Sequence, residues 1–261
     1  MRICSFASGS SGNCYYIGTE KTNILIDAGI SGKRIIEGLK EKVGISGKEL
    51  DGIFVTHEHI DHIQSLGVLA RRFKTPLYAT RGTWEGMKNK LGRVDSDLCN
   101  TLHSKGSLEM GDINIEWFPT SHDANEPVGF LLENENKYVG LATDTGMINK
   151  RMVNALFNID ALFLEANHDE KMLLSGSYPT YLKKRIRSSK GHLSNVAAGQ
   201  ALLELVNVKT KSVFLAHLSQ ENNLPSLALK TVKDILNEHK IDCTFDLQVA
   251  PRSQASTCIK I

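Results

Sequence analysis

The chain has no C-x-x-C pair, no apolar stretch of membrane-spanning length and no strong excess of either charge. Its five cysteines (Cys4, Cys14, Cys99, Cys243 and Cys258) are odd in number and widely scattered. That pattern speaks against a disulfide framework or a thiolate metal site and leaves most of the cysteines as small core residues. Without an apolar run near the ~20 residues a bilayer-crossing helix needs, no membrane association is expected. The opening Met1-Arg2-Ile3-Cys4-Ser5-Phe6 lacks the apolar core and cleavage site of a secretory signal and already reads as a strand, so the expected compartment is the cytoplasm. A net charge of +2 does not by itself identify a polyanionic partner, and local clusters must carry that question. No Pro/Gly/Ser-rich linker, repeat or low-complexity tract divides the 261 residues. With 41% apolar and 23% charged residues, a single domain spanning 1–261 is expected, large enough to bury a substantial core.

What the chain does have is concentrated at one point. The apolar run Gly52-Ile53-Phe54-Val55 leads directly into Thr56-His57-Glu58-His59-Ile60-Asp61-His62, an H-x-H-x-D-H cluster. Neutral imidazoles and a carboxylate suit borderline divalent ions such as zinc, manganese or iron. An inert His-rich turn is the competing reading. Three of the nine histidines fall between His57 and His62, with an aspartate interleaved and a buried-type strand in front, and that argues against it. Four donors are too many for one open catalytic ion and about half of what two ions need. The cluster therefore predicts further ligands downstream.

The order of elements says where to look. Strand-like runs at Ile3–Phe6, Cys14–Ile17, Asn23–Asp27 and Ile53–Thr56 come first, the first two joined by the turn Ser8-Gly9-Ser10-Ser11-Gly12-Asn13. A helix over Leu66–Phe73, a strand at Leu77–Thr80 and a helical piece from Thr83 to Lys90 follow. Strands are expected at Ile113–Pro119, Val128–Leu132 and Tyr138–Thr143, then a helix at Asn149–Phe157 and a strand at Ala161–Glu165. Helices at Tyr181–Arg187, Val196–Val206 and Ser226–Glu238 alternate with strands at Ser212–Ala216 and Cys243–Val249. Two successive blocks of strands and helices imply two sheets packed face to face with helices outside, an α/β (α+β) architecture of αββα type.

Three further donors each follow an apolar strand, as the opening cluster does. His122 comes after Trp117-Phe118-Pro119, Asp144 after Leu141-Ala142-Thr143, and His217 after Phe214-Leu215-Ala216. Singly, such a residue is as readily a turn former. The shared placement sets these three apart, since strand ends converging on one sheet edge would bring seven donors together.

His57-x-His59-x-Asp61-His62, followed in order by His122, Asp144 and His217, resembles the metallo-β-lactamase superfamily over nearly the whole chain. The resemblance implies a four-layer sandwich and two divalent ions per chain, zinc, manganese or iron. His57, His59 and His122 would hold one ion, Asp61, His62 and His217 the other, with Asp144 bridging. It also implies that Asp27, after Ile24-Leu25-Ile26, supports the ligands from behind, although as a residue it reads equally well as a turn carboxylate. True lactamases of the superfamily tend to carry a cysteine or no carboxylate where Asp144 stands, which disfavours antibiotic hydrolysis. Diiron redox relatives carry a glutamate at the position of His59 and a following flavin domain, and neither is found here.

A bridged metal pair supplies hydrolysis, with Asp61 placed to orient the attacking oxygen nucleophile, but it does not choose the bond. That choice rests on the last third of the chain. Gly191-His192-Leu193-Ser194-Asn195 leads into a helix whose N-terminus, capped by Ser194, suits a phosphate. His192 would bind a phosphoryl oxygen or protonate the leaving group; the alternative is a hydrogen bond within the helix start. Lys183-Lys184-Arg185-Ile186-Arg187-Ser188-Ser189-Lys190 is either a track for a nucleic-acid backbone or a solvated helix face. His168 is a further candidate to face the site, whereas His103 and His239 read as surface residues.

The Ser8–Cys14 turn, the Gly191–Asn195 segment and His217-Leu218-Ser219-Gln220-Glu221-Asn222-Asn223 together are similar to the compact YycJ/WalJ (VicX) group of the superfamily. That resemblance implies a 5′-to-3′ exonuclease acting on duplex DNA and linked to DNA repair, with His192 as general acid or phosphate ligand and Ser194, Asn195, Lys183 and Lys184 at the substrate. It departs from larger nucleases of the superfamily in leaving no room for an inserted clamp domain between Asp144 and His217. The expected activity is thus two-metal phosphodiester hydrolysis at a DNA 5′ end. Hydrolysis of a small ester, thioester or cyclic phosphodiester is the alternative, and a non-catalytic regulatory adaptor comes last. Nothing in the sequence fixes an oligomeric state or an obligate protein partner.

Overall fold

The computed structural model describes residues 1–241 and 244–261. They fall into two compact units. One comprises Met1–Pro119, Ala124–Val128 and Pro251–Ile261, the other Thr120–Asp123 and Gly129–Ala250.

The first unit opens with β1 (Arg2–Ala7), β2 (Cys14–Gly18) and β3 (Asn23–Ile26), then α1 (Gly32–Gly38). It continues through β4 (Gly52–Phe54), α2 (Ile60–Ile63), α3 (Leu66–Phe73), β5 (Leu77–Thr80), α4 (Arg81–Met87) and β6 (Cys99–Leu102). The antiparallel ribbon of β7 (Gly106–Met110) and β8 (Ile113–Pro119) completes the series. A mixed sheet runs in the order Ile259–Lys260, β1, β2, β3, β4, β5, β6. Its first strands pair antiparallel and those from β3 onward pair parallel. β3 and β4 sit in the middle, and Leu25, Ile26, Ile53 and Phe54 are fully buried, which is why these segments read as unbroken apolar runs. Helix α3 covers the sheet with Leu66, Leu69 and Ala70, spaced three and four residues apart, while Arg71 and Arg72 stay exposed.

Cys4 of β1 and Cys258 are joined as a disulfide, and Cys14 is buried and free. This corrects the expectation that the chain carries no disulfide, with most cysteines as small core residues. The two lie 254 positions apart and meet because the C-terminal strand pairs with β1, a pairing that no local spacing announces.

The second unit holds β9 (Val128–Asn134), β10 (Lys137–Ala142), α5 (Lys150–Leu156), β11 (Ala161–Glu165), α6 (Glu170–Ser175) and α7 (Thr180–Ile186). It ends with α8 (Asn195–Leu205), β12 (Ser212–Ala216), α9 (Pro225–Glu238) and β13 (Asp246–Val249). Its strands lie in the order β13, β12, β11, β10, β9. β9 and β10 form a hairpin through Glu135 and Asn136, both left-handed at φ 52° and 59°, the geometry that matches strand twist in a two-residue turn. β10, β11, β12 and β13 are parallel, and helices make each crossover between them. The C-terminal ends of β10, β11 and β12 therefore share one sheet edge.

The expected strand Cys243–Val249 is found over Asp246–Val249, and Cys243 lies outside the described residues. Sequence patterning missed β6, β7, α1, α2, α6 and the strand Ile259–Lys260. In β7 only Leu108 and Met110 alternate with polar residues in a largely exposed strand, and the three helices are too short for periodicity to show.

One buried carboxylate anchors the second sheet opposite its functional edge. Asp160, fully buried, accepts the backbone N–H of Tyr138 at 2.9 Å and pairs with the ammonium groups of Lys137 and Lys209 at 3.3 Å each. Replacing it with alanine strands a backbone donor and removes two charged contacts. Asp160→Ala is expected to lower the unfolding free energy by about 2–3 kcal/mol in urea titration. A loss below about 0.5 kcal/mol, the size of an ordinary surface substitution, would contradict this assignment.

Candidate metal centre

In the first unit, parallel β3 and β4 deliver Asp27 and the H-x-H-x-D-H turn from adjacent strand ends. Asp27 is fully buried. Its Oδ1 accepts the Thr56 N–H at 2.9 Å, and its Oδ2 accepts the Thr56 hydroxyl at 2.8 Å and His62 Nδ1 at 2.7 Å. Burial pushes its carboxyl above the usual range, against the opposing pull of His62. His57 and His62 are buried, whereas His59 and Asp61 are partly exposed. His57 Nε2 and His59 Nδ1 stand 3.0 Å apart, and Asp61 Oδ2 is 3.6 Å from His62 Nε2. Glu58, between the two leading histidines, faces elsewhere and accepts the Asn125 N–H at 2.8 Å.

In the second unit, the shared edge of β10, β11 and β12 presents Asp144, Glu165 and His217, joined by His122 and His192 from loops. Asp144 Oδ1 lies 3.7 Å from His122 Nε2 and 3.6 Å from His217 Nε2. His122 is oriented by its Nδ1, 3.1 Å from the Gly191 carbonyl. Glu165, which the sequence did not single out, holds the cluster together. Its Oε1 accepts His192 Nδ1 at 2.7 Å and His217 Nδ1 at 2.9 Å, and its Oε2 accepts the Thr145 N–H at 2.8 Å. Burial opposes its negative charge, but the His192 imidazole and the converging hydrogen bonds hold its carboxyl well below the usual range. Burial likewise opposes a charge on His192, yet Glu165 outweighs it and raises the His192 pKa. Donor atoms of Asp144, Glu165, His192 and His217 all lie within 4.8 Å of one another.

Asp27, Asp144 and His217 share an unusual backbone state. All three strand-end residues are left-handed, with φ of 61°, 54° and 56°. Strain of this kind, about 1 kcal/mol or more per non-glycine residue, persists where the surroundings over-determine it, commonly at functional sites.

Other expected residues have internal partners. Ser194 caps α8 by accepting the Ala197 N–H at 3.1 Å and donates to Glu170 at 3.1 Å. Asn195 is buried and exchanges amide hydrogen bonds with Asn223 at 3.0 and 2.9 Å. The Lys183 ammonium donates to the carbonyls of Leu174 and Gly176, both at 2.7 Å, closing the end of α6. Arg185 is ion-paired with Asp123. Of the basic run, Lys184, Arg187 and Lys190 are exposed. His168 is buried, with its pKa pushed down to about 4 by desolvation. His103 and His239 are exposed, as expected.

The donor set is imidazole nitrogen and carboxylate oxygen throughout, the chemistry of borderline divalent cations. Two ligand atoms each ~2.1 Å from a tetrahedral ion stand about 3.4 Å apart. The 3.0–3.7 Å spacings within each unit bracket that value. The residues fit a divalent metal.

Fold and donors together define a class, and the comparisons agree with it: the chain belongs to the β-lactamase superfamily. The profile described as a beta-lactamase superfamily domain matches residues 22–218. The metallo-beta-lactamase fold protein YhfI of Bacillus subtilis superposes with a TM-score of 0.73 at 15% identity, covering 98% of each chain. The two mixed sheets with helices are thus the α+β fold expected from the sequence. Within the class, the chain is 42% identical to exodeoxyribonuclease YycJ of Bacillus anthracis over 91% of its own length and 90% of that protein. It is also 42% identical to exodeoxyribonuclease WalJ of Streptococcus pneumoniae serotype 2 strain D39, over 93% and 91% of the two chains. No helix among the described residues is long and apolar enough to cross a membrane.

Because Glu165 orients two imidazoles at once, Glu165→Gln should weaken divalent-metal binding by about 10- to 100-fold in chelator competition. An unchanged dissociation constant would show that the carboxylate does not set the ligand geometry.

Proposed function

We propose that this chain is a single-domain, two-metal phosphodiesterase that degrades duplex DNA from the 5′ end. The observation that carries the reading is 42% identity, over 91% of the chain, to a protein named an exodeoxyribonuclease. The donor geometry of each unit supports it. His57, His59 and His122 would hold one divalent ion and Asp61, His62 and His217 the other, and Asp144 would complete the set. Zinc, manganese and iron all suit the donors. Bound there, such ions would supply an acidified water and stabilise the charge that develops on the phosphoryl group.

The remaining roles fall to side chains. Asp61, with 21% of its side chain exposed, would position the attacking water and take its proton. His192 keeps Nδ1 on Glu165 and has 19% of its side chain exposed, so its Nε2–H is left to protonate the departing 3′ oxygen. Glu165 raises the pKa of His192 against the effect of burial, which keeps that proton available. Lys184, Arg187 and Lys190 lie next to His192 in sequence and supply the positive face that a phosphate backbone requires. Lys183, Ser194 and Asn195 hold their neighbouring segments in place through internal hydrogen bonds.

Exonuclease assay of 5′-labelled duplex DNA with added manganese tests the mechanism. Asp61→Asn and His192→Ala should each lose about 100-fold or more of the native rate. Equal rates in native and variant proteins would reject the assignment. For the DNA face, Lys184→Ala and Arg187→Ala should each weaken binding evenly across sequences and lower the slope of log affinity against log salt by about one. A slope that stays at the native value would remove these residues from the interface.

A further inference from the structure

The loop after β10, helix α5 and the segment leading into α8 enclose a cavity that the chemistry above does not use. We propose that it is a nucleobase site, receiving the base of the 5′-terminal nucleotide once that base is unstacked from the duplex. The proposal rests on the exonuclease reading above and adds to it what holds the nucleotide that departs.

The cavity has a volume of about 380 Å³, and every residue lining it belongs to the second unit. Ligand sites run from ~300 to 1,000 Å³, so this one suits a single ring system better than a longer segment. The loop and α5 contribute Met147, Ile148 and Val153, and the segment into α8 contributes Leu193, Ala197 and Gln200. A base has two apolar faces and an edge of donors and acceptors. The aliphatic side chains suit the faces. Gln200 offers the edge both a donor and an acceptor, and Glu204, also in the lining, offers further acceptors. Among the described residues neither has a side-chain partner of its own.

Both walls are fastened to one carboxyl group. Glu165 Oε2 accepts the Thr145 N–H at 2.8 Å, where the loop begins, and the Leu193 N–H at 3.3 Å. The other oxygen of the same carboxylate, Oε1, accepts His192 Nδ1 at 2.7 Å. Cavity wall and proton donor therefore share an anchor. In hydrolysis from the 5′ end, the 3′ oxygen that His192 protonates belongs to the terminal nucleotide, and only the sugar separates that oxygen from the base. The loop keeps its shape through its own bonds: Thr145 Oγ1 donates to the Met147 carbonyl at 2.8 Å, and Asn149 Oδ1 accepts the Arg151 and Met152 N–H groups at 2.9 and 3.1 Å. Gly146 also brings it against the basic run, since a Cβ there would stand 2.4 Å from the Ser188 carbonyl oxygen. The base site thus adjoins the exposed Arg187 and Lys190 assigned to the phosphate backbone.

The test compares two duplexes with the native protein and manganese, one ending in a natural 5′ nucleotide and one whose 5′ nucleotide lacks its base. The baseless end should show a kcat/KM about tenfold lower, with the loss in KM, equivalent to roughly 55 Å² of apolar burial forgone. Removing the base also removes the pair that must be opened, so a protein without this site would cleave the baseless end at least as fast. Ala197→Leu, which fills the cavity from a half-buried position, should bring the natural end to the KM of the baseless one. Equal kcat/KM on the two ends in the native protein, or a native ratio between them in Ala197→Leu, overturns the base site and leaves the exonuclease reading intact. A native protein that cleaves neither end sinks both.

Discussion

Two buried carboxylates, Asp27 and Glu165, each accept hydrogen bonds from imidazole Nδ1 atoms, and the orientation they impose governs everything outward of them. A histidine whose Nδ1 is engaged presents Nε2 and little else, so ring position and tautomer are decided together. The His122 ring is set in the same way by a backbone carbonyl. Both units thus use one device: a buried acceptor that engages the Nδ1 of an imidazole at a strand end. The interaction is tolerable in the interior because every carboxylate oxygen involved has hydrogen-bond partners, without which burial of the charge would be costly.

Topology makes the device possible. Parallel strands send their C-terminal ends to one edge, where the chain must turn and its side chains are free of the ladder. β3 and β4 do this for Asp27 and the histidine cluster, and β10, β11 and β12 do it for Asp144, Glu165 and His217. The turns are abrupt enough to force Asp27, Asp144 and His217 into left-handed backbone, a cost the buried strands behind them absorb.

Much of this was legible in the residues. Apolar runs marked the buried strands, and His57, His59, Asp61, His62, His122, Asp144 and His217 stood out because each follows such a run. Glu165 escaped because it is the last residue of Ala161–Glu165, where a single charge reads as the strand's polar end. The usable signal was a carboxylate closing a run in which every residue is buried. Lys183 and Asn195 were read as substrate contacts because their types suit phosphate, but the carbonyls ending α6 and the Asn223 amide claim them first. Those partners are distant in the chain or belong to a helix too short to predict. The Cys4–Cys258 link was hidden for the same reason: only the pairing of the closing strand with β1 brings its halves together.

The central claim is that these imidazole and carboxylate donors hold a pair of divalent cations. Anomalous diffraction from crystals soaked in manganese measures it directly. The account predicts two peaks, one within coordination distance of His57, His59 and His122, the other of Asp61, His62 and His217, with Asp144 contacting both. A single peak, or peaks away from these side chains, would contradict it.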